Sequence, residues 1–416
     1  MFRIIESKED LVLLKSKLNQ VDKIFIEPVM FNDNFHPILN NISCLYINVY
    51  KGENFLITIS HNDSESCSIT SVYALLTDLK CEIWSRDKKT VLYFFPIKSI
   101  KQLNLNHLEE INNSLVDWYY HKYHSLENIN CIIPIVKLFE RCEEIYDSIE
   151  KYMDLPLNPV YDKGVLAFLN IEKNGIRITN EFENYFNPEE NKFSIKDNII
   201  YTHYNLFTTT KRPSNSFNNI NFLALNKTNG SKTCFIPKND KFLEIDISAY
   251  HPTLISQLID YKFEEDEIHS HLSKLYKVDY NKSKEITFKQ LYGGIYSQYK
   301  DLEFFKKTQA LIDKIWLDYN NGGYVTKSGI LIKDVETPVP NKVFNYVLQE
   351  LETSNNIEII FDIIKLLLGK KSHLVLYVYD SFVIDLKEDE DLIGEIEKIF
   401  KKRGLTIKYK IKSTLD

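Results

Sequence analysis

The chain has few cysteines, and none of them is spaced like a metal ligand. There is no Cys-x-x-Cys pair and no Cys/His ligand spacing among the six cysteines, which are Cys44, Cys67, Cys81, Cys131, Cys142 and Cys234. This pattern argues against a zinc module and against a small secreted domain stapled by disulfides. We therefore expect free thiols in a reducing compartment.

Long apolar runs are also missing. No stretch is long enough to cross a bilayer, and Glu6, Glu9 and Asp10 interrupt any apolar run near the start. We therefore expect neither a membrane anchor nor a secretory signal. With 416 residues and 44% hydrophobic content, the chain is long enough for two or three domains with their own cores.

An excess of positive charge is missing too. The formal net charge is −7, from 51 Lys and Arg against 58 Asp and Glu, which argues against an indiscriminate binder of nucleic acids. Binding of a polyanion would then need a local track of cations. The candidates for such a track are Lys211-Arg212, Lys282, Lys284, Lys306-Lys307 and Lys401-Lys402-Arg403.

Two apolar, β-branched and aromatic runs each hold one carboxylate. Residues 241–254 contain Asp246 and residues 374–386 contain Asp380, and both runs are typical of buried strands. A carboxylate in such surroundings is costly unless it is paired or ligates a cation. Two such strands side by side would create a divalent-metal site of the kind used in phosphoryl transfer. Taken singly, each aspartate fits better as a strand-end or turn residue.

A basic and aromatic helix is predicted between these runs, over residues 281–296. Lys284, Phe288 and Tyr292 follow at intervals of four and so share one helix face. Gly293, at the end of the run, leaves room for another backbone. An ammonium followed by two rings suits a nucleotide, with phosphates at the first and the base or sugar at the others. An amphipathic helix with an aromatic core stripe is the alternative.

Several segments in collinear order, over about residues 158–385, together resemble family A DNA polymerases. Residues 246–251 (DISAYH) resemble motif A, the Lys284-x3-Phe288-x3-Tyr292-Gly293 pattern resembles motif B, and residues 379–381 (YDS) resemble motif C. Weaker matches are residues 168–176 (FLNIEKNGI), 210–216 (TKRPSNS) and 267–269 (EIH), and the pair Asn345-x3-Gln349. Each match is weak alone, but their shared order is specific.

The resemblance implies an α+β and α/β multidomain protein, in which an RNase H-like exonuclease-type α/β domain precedes a right-hand polymerase. The implied exonuclease-like domain covers residues 1–140 and the polymerase domain residues 141–416. Within the latter, a short thumb covers about 141–205, a palm about 206–262 and 335–416, and fingers about 263–334. The implied partners are primer-template DNA and deoxynucleoside triphosphates (dNTPs), with no membrane. The implied location is the cytoplasm, or the compartment that holds the template genome.

The resemblance also implies roles for single residues. Asp246, Asp380 and the backbone carbonyl of Ile247 would hold two Mg²⁺ ions about 3.5–4 Å apart. The residues implied to bind the incoming nucleotide are His251, His269, Lys282, Lys284, Phe288 and Tyr292, and Lys284 is also implied to act in catalysis. The residues implied to contact DNA are Arg212, Ser214, Gly293, Asn345 and Gln349.

Some positions depart from the family pattern. His251 stands where the family has a glutamate that excludes the ribose 2′-hydroxyl, and tyrosine and serine flank Asp380 in place of histidine and glutamate. Tyr280 replaces an arginine one turn before Lys284, so Lys282 is the candidate for that arginine's phosphate contact. A single-subunit RNA polymerase or primase-like enzyme on the same palm is therefore an alternative, as is a non-catalytic nucleic-acid-binding relative.

The N-terminal region departs further. At residues 45–50 (LYINVY), where the exonuclease family has Asp-x-Glu, there is no carboxylate, and Thr90 stands near the place of a second acid. We predict an exonuclease-like domain without catalysis, and an unrelated supporting α/β domain is the alternative. Residues 175–198 form a short acidic piece in place of a long helical thumb. This predicts weak, salt-sensitive DNA binding and low processivity unless a processivity or replication partner protein assists.

Overall fold

The computed structural model describes residues 3–32, 36–62, 64–104, 131–187, 193–208, 212–215, 220–222, 224–225, 228–264 and 267–416. The chain forms two compact units, the first of Met1–Phe207 with Ser214–Asn226 and the second of Thr208–Pro213 with Lys227–Asp416. Thr210, Lys211 and Ser216 of the TKRPSNS segment lie outside the described residues, as do residues 105–130 of the predicted exonuclease-like domain. No helix in the described ranges has the length and apolar character needed to span a membrane.

Strands and helices alternate at the start of the first unit. In chain order they are β1 (Arg3–Ile5), α1 (Lys8–Leu18), β2 (Lys23–Met30), β3 (Ile42–Val49), β4 (Asn54–Thr58), α2 (Ile69–Asp78), β5 (Glu82–Ser85), α3 (Lys88–Phe94) and β6 (Ile100–Gln102). The strands form one sheet in the order β1-β4-β3-β2-β5-β6. β3 is antiparallel to both β2 and β4, whereas β1–β4, β2–β5 and β5–β6 are parallel pairs. β3 and β4 thus form a hairpin around residues 51–53.

The rest of the first unit is built from helices and short strands. They are α4 (Ile135–Ile149), α5 (Pro159–Asn174), β7 (Ile176–Ile178), α6 (Phe182–Tyr185), β8 (Ile195–Lys196), β9 (Ile199–Ile200), β10 (Tyr204–Asn205) and β11 (Ser214–Asn215). β9 pairs antiparallel with β7 and β8, and β10 with β11. In the described part of residues 175–198, the four-residue α6 is the only helix. The thumb and domain boundaries themselves stay predictions.

Side chains cover the central strands of the first sheet on both faces. Ile24 and Ile26 of β2 belong to a buried cluster with Leu14 of α1. Phe25 points to the opposite face, where its ring meets Tyr146 of α4 edge to face at 6.2 Å. Strands covered on both faces carry near-continuous apolar runs, which explains the sequence of β2 and β3.

The second unit is built around an antiparallel sheet. Its elements are β12 (Phe235–Ile236), β13 (Lys241–Ile247), α7 (Tyr250–Leu258), α8 (Ile268–Tyr276), α9 (Tyr280–Gly293), α10 (Glu303–Asn320), β14 (Tyr324–Val325), β15 (Leu331–Ile332), α11 (Pro340–Leu367), β16 (His373–Val378), β17 (Ser381–Leu386), α12 (Ile393–Lys401) and β18 (Ile407–Lys412). The sheet order is β16-β17-β13-β18. The long helix α11 packs against β16, α7, α10 and α12.

The two apolar runs fold differently from the single buried strands predicted for them. β13 ends at Ile247, and the remainder of the first run turns through Ala249, at φ +46°, into α7. The second run is a hairpin, because Tyr379 adopts φ +57° between β16 and β17. A left-handed residue redirects the chain, and apolar content alone does not predict it. The prediction was right about strand character and wrong about extent.

Candidate active site

The two aspartates predicted to bind metal lie together at one end of the β13–β17 pair. The backbone N–H of Ile247, next to Asp246, donates to the carbonyl oxygen of Asp380 at 2.9 Å. Burial and the neighbouring Glu244 raise the pKa of Asp246. Burial, Glu352 and Asp246 itself raise the pKa of Asp380. Two carboxylates thus share a region where negative charge is unfavourable until a cation enters.

The backbone beside this pair is unusual on both strands. Tyr379, just before Asp380, has φ +57°, and Ala249, three residues after Asp246, has φ +46°. Non-glycine residues in this region cost about 1–3 kcal/mol and persist where the surroundings hold them. Asn356 of α11 provides part of that support, since its side-chain amide donates to the carbonyl of Tyr379 at 2.9 Å. Helix α11 therefore fixes the turn that presents Asp380.

The pair fits a divalent cation that a substrate helps to bind. Neither Asp246 nor Asp380 forms an ion pair with a described Lys or Arg. No group of three or more His, Cys, Asp and Glu side chains in the described part of the chain is arranged to hold a metal ion. Mg²⁺ is commonly bound through one or two carboxylates, with waters and substrate phosphates completing its shell. The residues present, with the carbonyl of Ile247 beside them, match that mode.

A chain of hydrogen bonds borders the aspartates. Glu352 of α11 is 1% exposed and accepts from Nη2 of Arg212 at 2.7 and 2.8 Å. It also lies 2.7 Å from Nε2 of His251, whose Nδ1 lies 2.7 Å from the hydroxyl of Tyr292. When Nε2–H donates to the carboxylate, Nδ1 of the neutral ring accepts from the hydroxyl. We call Arg212, Glu352, His251 and Tyr292 the Glu352 network.

Charge is balanced inside the Glu352 network. Burial alone would raise the pKa of Glu352, but the hydrogen bond from His251 and the guanidinium of Arg212 hold it below its ordinary value. Burial and the nearby Glu352 carboxylate raise the pKa of Tyr292 to about 12. The guanidinium carbon of Arg212 also lies 3.8 Å from the ring centroid of Tyr379. Arg212, predicted to meet DNA, is thus held against α11 and the turn of the β16–β17 hairpin.

The face of α9 predicted to bind nucleotide is turned away from the core. The buried residues of α9 are Ser283, Thr287, Gln290 and Leu291. Lys284 is exposed and Tyr292 is 41% exposed. The rings of Phe288 and Tyr292 stack, with centroids 5.8 Å apart and planes inclined by 6°. The alternative of an aromatic core stripe is therefore wrong.

Lys282 lies on another side of α9. Its ammonium pairs with Glu285 at 2.9 Å, and Lys289 pairs with the same carboxylate at 2.6 Å. Two residues along a helix correspond to a rotation of about 200°, so Lys282 and Lys284 face in nearly opposite directions. The nucleotide contact of Lys282 stays a prediction, which this orientation does not favour.

The residues predicted to contact DNA are placed separately. Asn345 and Gln349 lie one turn apart on α11, and Oδ1 of Asn345 is buried with no hydrogen-bond partner in the described ranges. A Cβ added to Gly293 would meet nothing within 4 Å, whereas Gly294, at φ +109°, is the residue whose backbone requires glycine. Ser214 belongs to the β10–β11 pair of the first unit.

His269, in the first turn of α8, is buried beside Tyr280 at the start of α9. It is 2% exposed, and neither ring nitrogen has a hydrogen-bond partner within the described residues. Burial and the ammonium groups of Lys284 and Lys408 lower its pKa, against the opposing influence of Glu267. An imidazole whose nitrogens have no partner among the described residues, and whose pKa two lysines lower, is suited to an anionic ligand.

Some residues of this site were not predicted from the sequence. Glu352 and Asn356 follow Asn345 and Gln349 at spacings that place all of them on one face of α11. That polar stripe is a signal the sequence does contain. Lys408 belongs to the alternating run IKYKIK of β18, which predicts a strand but not its pairing partner.

Comparisons with known proteins identify the fold. No protein-family model and no curated protein matches the chain. Among solved structures, the chain is similar to the polymerase domain of Pol1 from M. smegmatis, determined in complex with a DNA primer-template and dNTP. The TM-score is 0.69 at 12% sequence identity, over 100% of this chain and 99% of that chain. The protein thus has the fold of a polymerase domain, and the predicted mixed α/β multidomain class is confirmed.

Proposed function

We propose that this protein is a template-directed DNA polymerase, which adds deoxynucleotides to a primer 3′-hydroxyl and releases pyrophosphate. The observation that carries the proposal is the meeting of Asp246 and Asp380 at one end of two paired strands. Neither carboxylate forms an ion pair with a described Lys or Arg, and the surrounding fold is that of a polymerase domain.

The catalytic roles follow from chemistry. Asp246, Asp380 and the carbonyl of Ile247 would hold two Mg²⁺ ions, which supply charge neutralisation and activation of the primer hydroxyl. Lys284, exposed on α9, binds the triphosphate and stabilises the charge that develops on the leaving pyrophosphate. His269 offers a ring N–H to the same phosphates.

We assign to His251 the discrimination between deoxyribose and ribose. Its two ring nitrogens are engaged by Glu352 and Tyr292, so the imidazole is held at two points. A ring fixed in this way restricts the space beside the sugar, and an added 2′-hydroxyl would have to displace it. Deoxynucleotides are therefore the expected substrates. Phe288, stacked on Tyr292, extends the same surface toward the base.

Proofreading is not part of the proposed activity. On β2 of the first unit, the buried carboxylate of Glu27 pairs with Arg86 at 2.6 Å and accepts from the hydroxyl of Tyr146 at 3.3 Å. A carboxylate neutralised by a guanidinium is a poor ligand for metal ions. β3, which stands at the place of the exonuclease family's Asp-x-Glu, carries no acid.

Extension of a primed DNA template in the presence of Mg²⁺ tests the proposal. We expect a product ladder with dNTPs, far less product with ribonucleotides, and none from the Asp246→Ala variant. Asp240→Ala is the matched control. This exposed aspartate lies just before β13, where it pairs with Lys387 and accepts from the backbone N–H of Glu388. Preferential use of ribonucleotides would indicate an RNA polymerase or primase-like enzyme. No incorporation of either nucleotide class would reject the proposal and favour a non-catalytic nucleic-acid-binding protein.

A further inference from the structure

A small cavity of about 140 Å³ lies beside the start of α8. The residues that line it include Ser248, Ala249, Glu267, Ile268, Thr406 and Lys408. The hydroxyl of Ser248 is buried and has no hydrogen-bond partner in the described ranges. An unsatisfied buried hydroxyl is unfavourable, so this wall of the cavity is suited to a polar ligand.

Lys408 brings an ammonium group to this cavity. It is paired in register with Asp246, and directly opposite residues of an antiparallel pair project from the same face of the sheet. Its Nζ lies 3.5 Å from the hydroxyl of Tyr280 and 5.7 Å from the centroid of that ring. No carboxylate of the described residues forms an ion pair with Lys408. The cation is thus positioned by an aromatic ring and left without a counter-ion.

Tyr280 places the contact of Lys408 beside the helix face that carries Lys284. Tyr280 is the first residue of α9 and lies one turn before Lys284 on the same helix face. Lys282, the other cation nearby in sequence, is turned away and paired with Glu285. The second cation of this face therefore comes from the sheet, through Lys408, rather than from the helix.

The remaining polar groups here are arranged for an anion. His269 follows the lining residues Glu267 and Ile268, and its ring centroid lies 5.9 Å from that of Tyr280. Both of its ring nitrogens lack a hydrogen-bond partner in the described ranges. Glu267 is the acid among these groups, and both of its oxygens are occupied. One accepts from the hydroxyl of Tyr280 at 2.9 Å and the other from the backbone N–H of Ser270 at 2.6 Å.

We propose that Lys408, together with the Ser248 hydroxyl and His269, binds the terminal phosphate of the incoming nucleoside triphosphate. The inference rests on the proposed function, because the phosphate belongs to the substrate of that same site. Lys408 and Lys284 approach the triphosphate from the sheet and from the helix respectively. An ammonium acts on phosphate as a compact point charge, so Lys408 contributes charge rather than a shaped pair of hydrogen bonds.

Steady-state primer extension with Lys408→Gln, Lys408→Arg and Lys410→Gln tests the inference. Lys410 is the matched control, since it lies two residues away on the same face of β18. We expect the KM for dNTP to rise about tenfold or more in Lys408→Gln, to recover largely in Lys408→Arg, and to change less than about twofold in Lys410→Gln. An unchanged KM in Lys408→Gln would overturn the inference while leaving the polymerase proposal intact.

A binding measurement separates this inference from the proposed function. Calorimetric titration of the full chain with inorganic tripolyphosphate needs no turnover. We expect binding by the wild type and an affinity about tenfold lower for Lys408→Gln. If primer extension fails but tripolyphosphate binding depends on Lys408, the polymerase proposal falls and the phosphate site stands. Equal tripolyphosphate binding by the two proteins would reject the site.

Discussion

Charged side chains of the two units differ in whether they have an ion-pair partner. In the first unit, Lys89 of α3 pairs with Glu172 of α5 at 2.5 Å, and the same carboxylate accepts from the hydroxyl of Tyr93 and the backbone N–H of Tyr204. In the second unit, Asp246 is partly buried and Asp380 is exposed, and neither has a described cation as an ion-pair partner.

The two units therefore differ in the role that we expect for their charges: stabilisation of the fold in the first unit and ligand binding in the second. A buried ion pair with complete hydrogen bonding is satisfied without any other molecule, as at Glu172. Asp246 and Asp380 lie together, and Lys284 and Lys408 form no ion pair with a described carboxylate. Both arrangements raise the free energy of the protein without its ligands. Such groups mark functional sites, because a bound cation and a polyanion would satisfy them together. Substitutions in the two units should therefore have opposite consequences.

The largest expected effect is on catalysis at the aspartates. Asp246→Asn and Asp380→Asn each remove a charge needed for metal binding, so we expect nucleotide incorporation to fall at least about a thousandfold. Single-turnover primer extension measures this loss. Asp240→Asn should retain activity within about twofold. Retained incorporation in either variant would show that the substituted aspartate is not required for catalysis.

The next effect is on stability in the first unit. Lys89→Met leaves Glu172 buried without its cation, so we expect the free energy of unfolding to fall by about 3–5 kcal/mol. Replacing both residues by Met should restore most of that loss. Denaturant titration of the full chain, followed by circular dichroism, measures the change. A loss below about 1 kcal/mol in the single variant would mean that this pair is not the structural element we describe.

A smaller effect is expected from the Glu352 network. Glu352→Gln weakens the contacts that hold His251 and Arg212, so we expect the ratio of dNTP to ribonucleotide incorporation to fall by about tenfold. Glu350→Gln is the matched control, a buried glutamate two residues earlier on α11 that accepts from Ser354. Competition experiments with both nucleotide classes measure the ratio. An unaltered ratio would remove His251 from sugar selection.

The smallest expected effect is a gain in stability at the active site. The folded protein raises the pKa of the partly buried Asp246, chiefly through burial, so its ionised form is disfavoured by folding. This cost is absent below the ordinary pKa of 3.8 and develops as the pH rises through the higher pKa of the folded state. Without metal at pH 7, Asp246→Asn should therefore melt roughly 1–3 °C higher than the wild type. A melting temperature of the Asn variant below that of the wild type at pH 7 would contradict the predicted direction of the change.

Local features of the site could be predicted from the sequence, whereas its long-range contacts could not. Asp246, Lys284 and Asp380 stand in short patterns whose periodicity and order carry the information. The left-handed turn at Tyr379 depends on an amide from Asn356, which packing alone brings there. Strand alternation is visible from the sequence, but register and pairing partners are not.

The same limit applies to the cation proposed to bind phosphate, Lys408, and to the buried Glu352. Lys408 reaches Tyr280 because β18 lies beside β13 in one particular register. Glu352 reaches His251 across a separation of 101 residues. The polar stripe on α11 indicates an unusual helix face, but it does not predict which residues that face contacts.

The row of lysines on β18 has a further consequence, for solubility. β18 is the outermost strand of its sheet, and Tyr409 and Ile411 are 44% and 50% exposed there. An open strand edge with apolar side chains invites another chain to add to the sheet, and alternating lysines oppose this by mutual repulsion. Neutralising Lys408 would therefore also lower the barrier to self-association. The lysines of β18 thus oppose self-association of the protein, in addition to the phosphate contact proposed for Lys408.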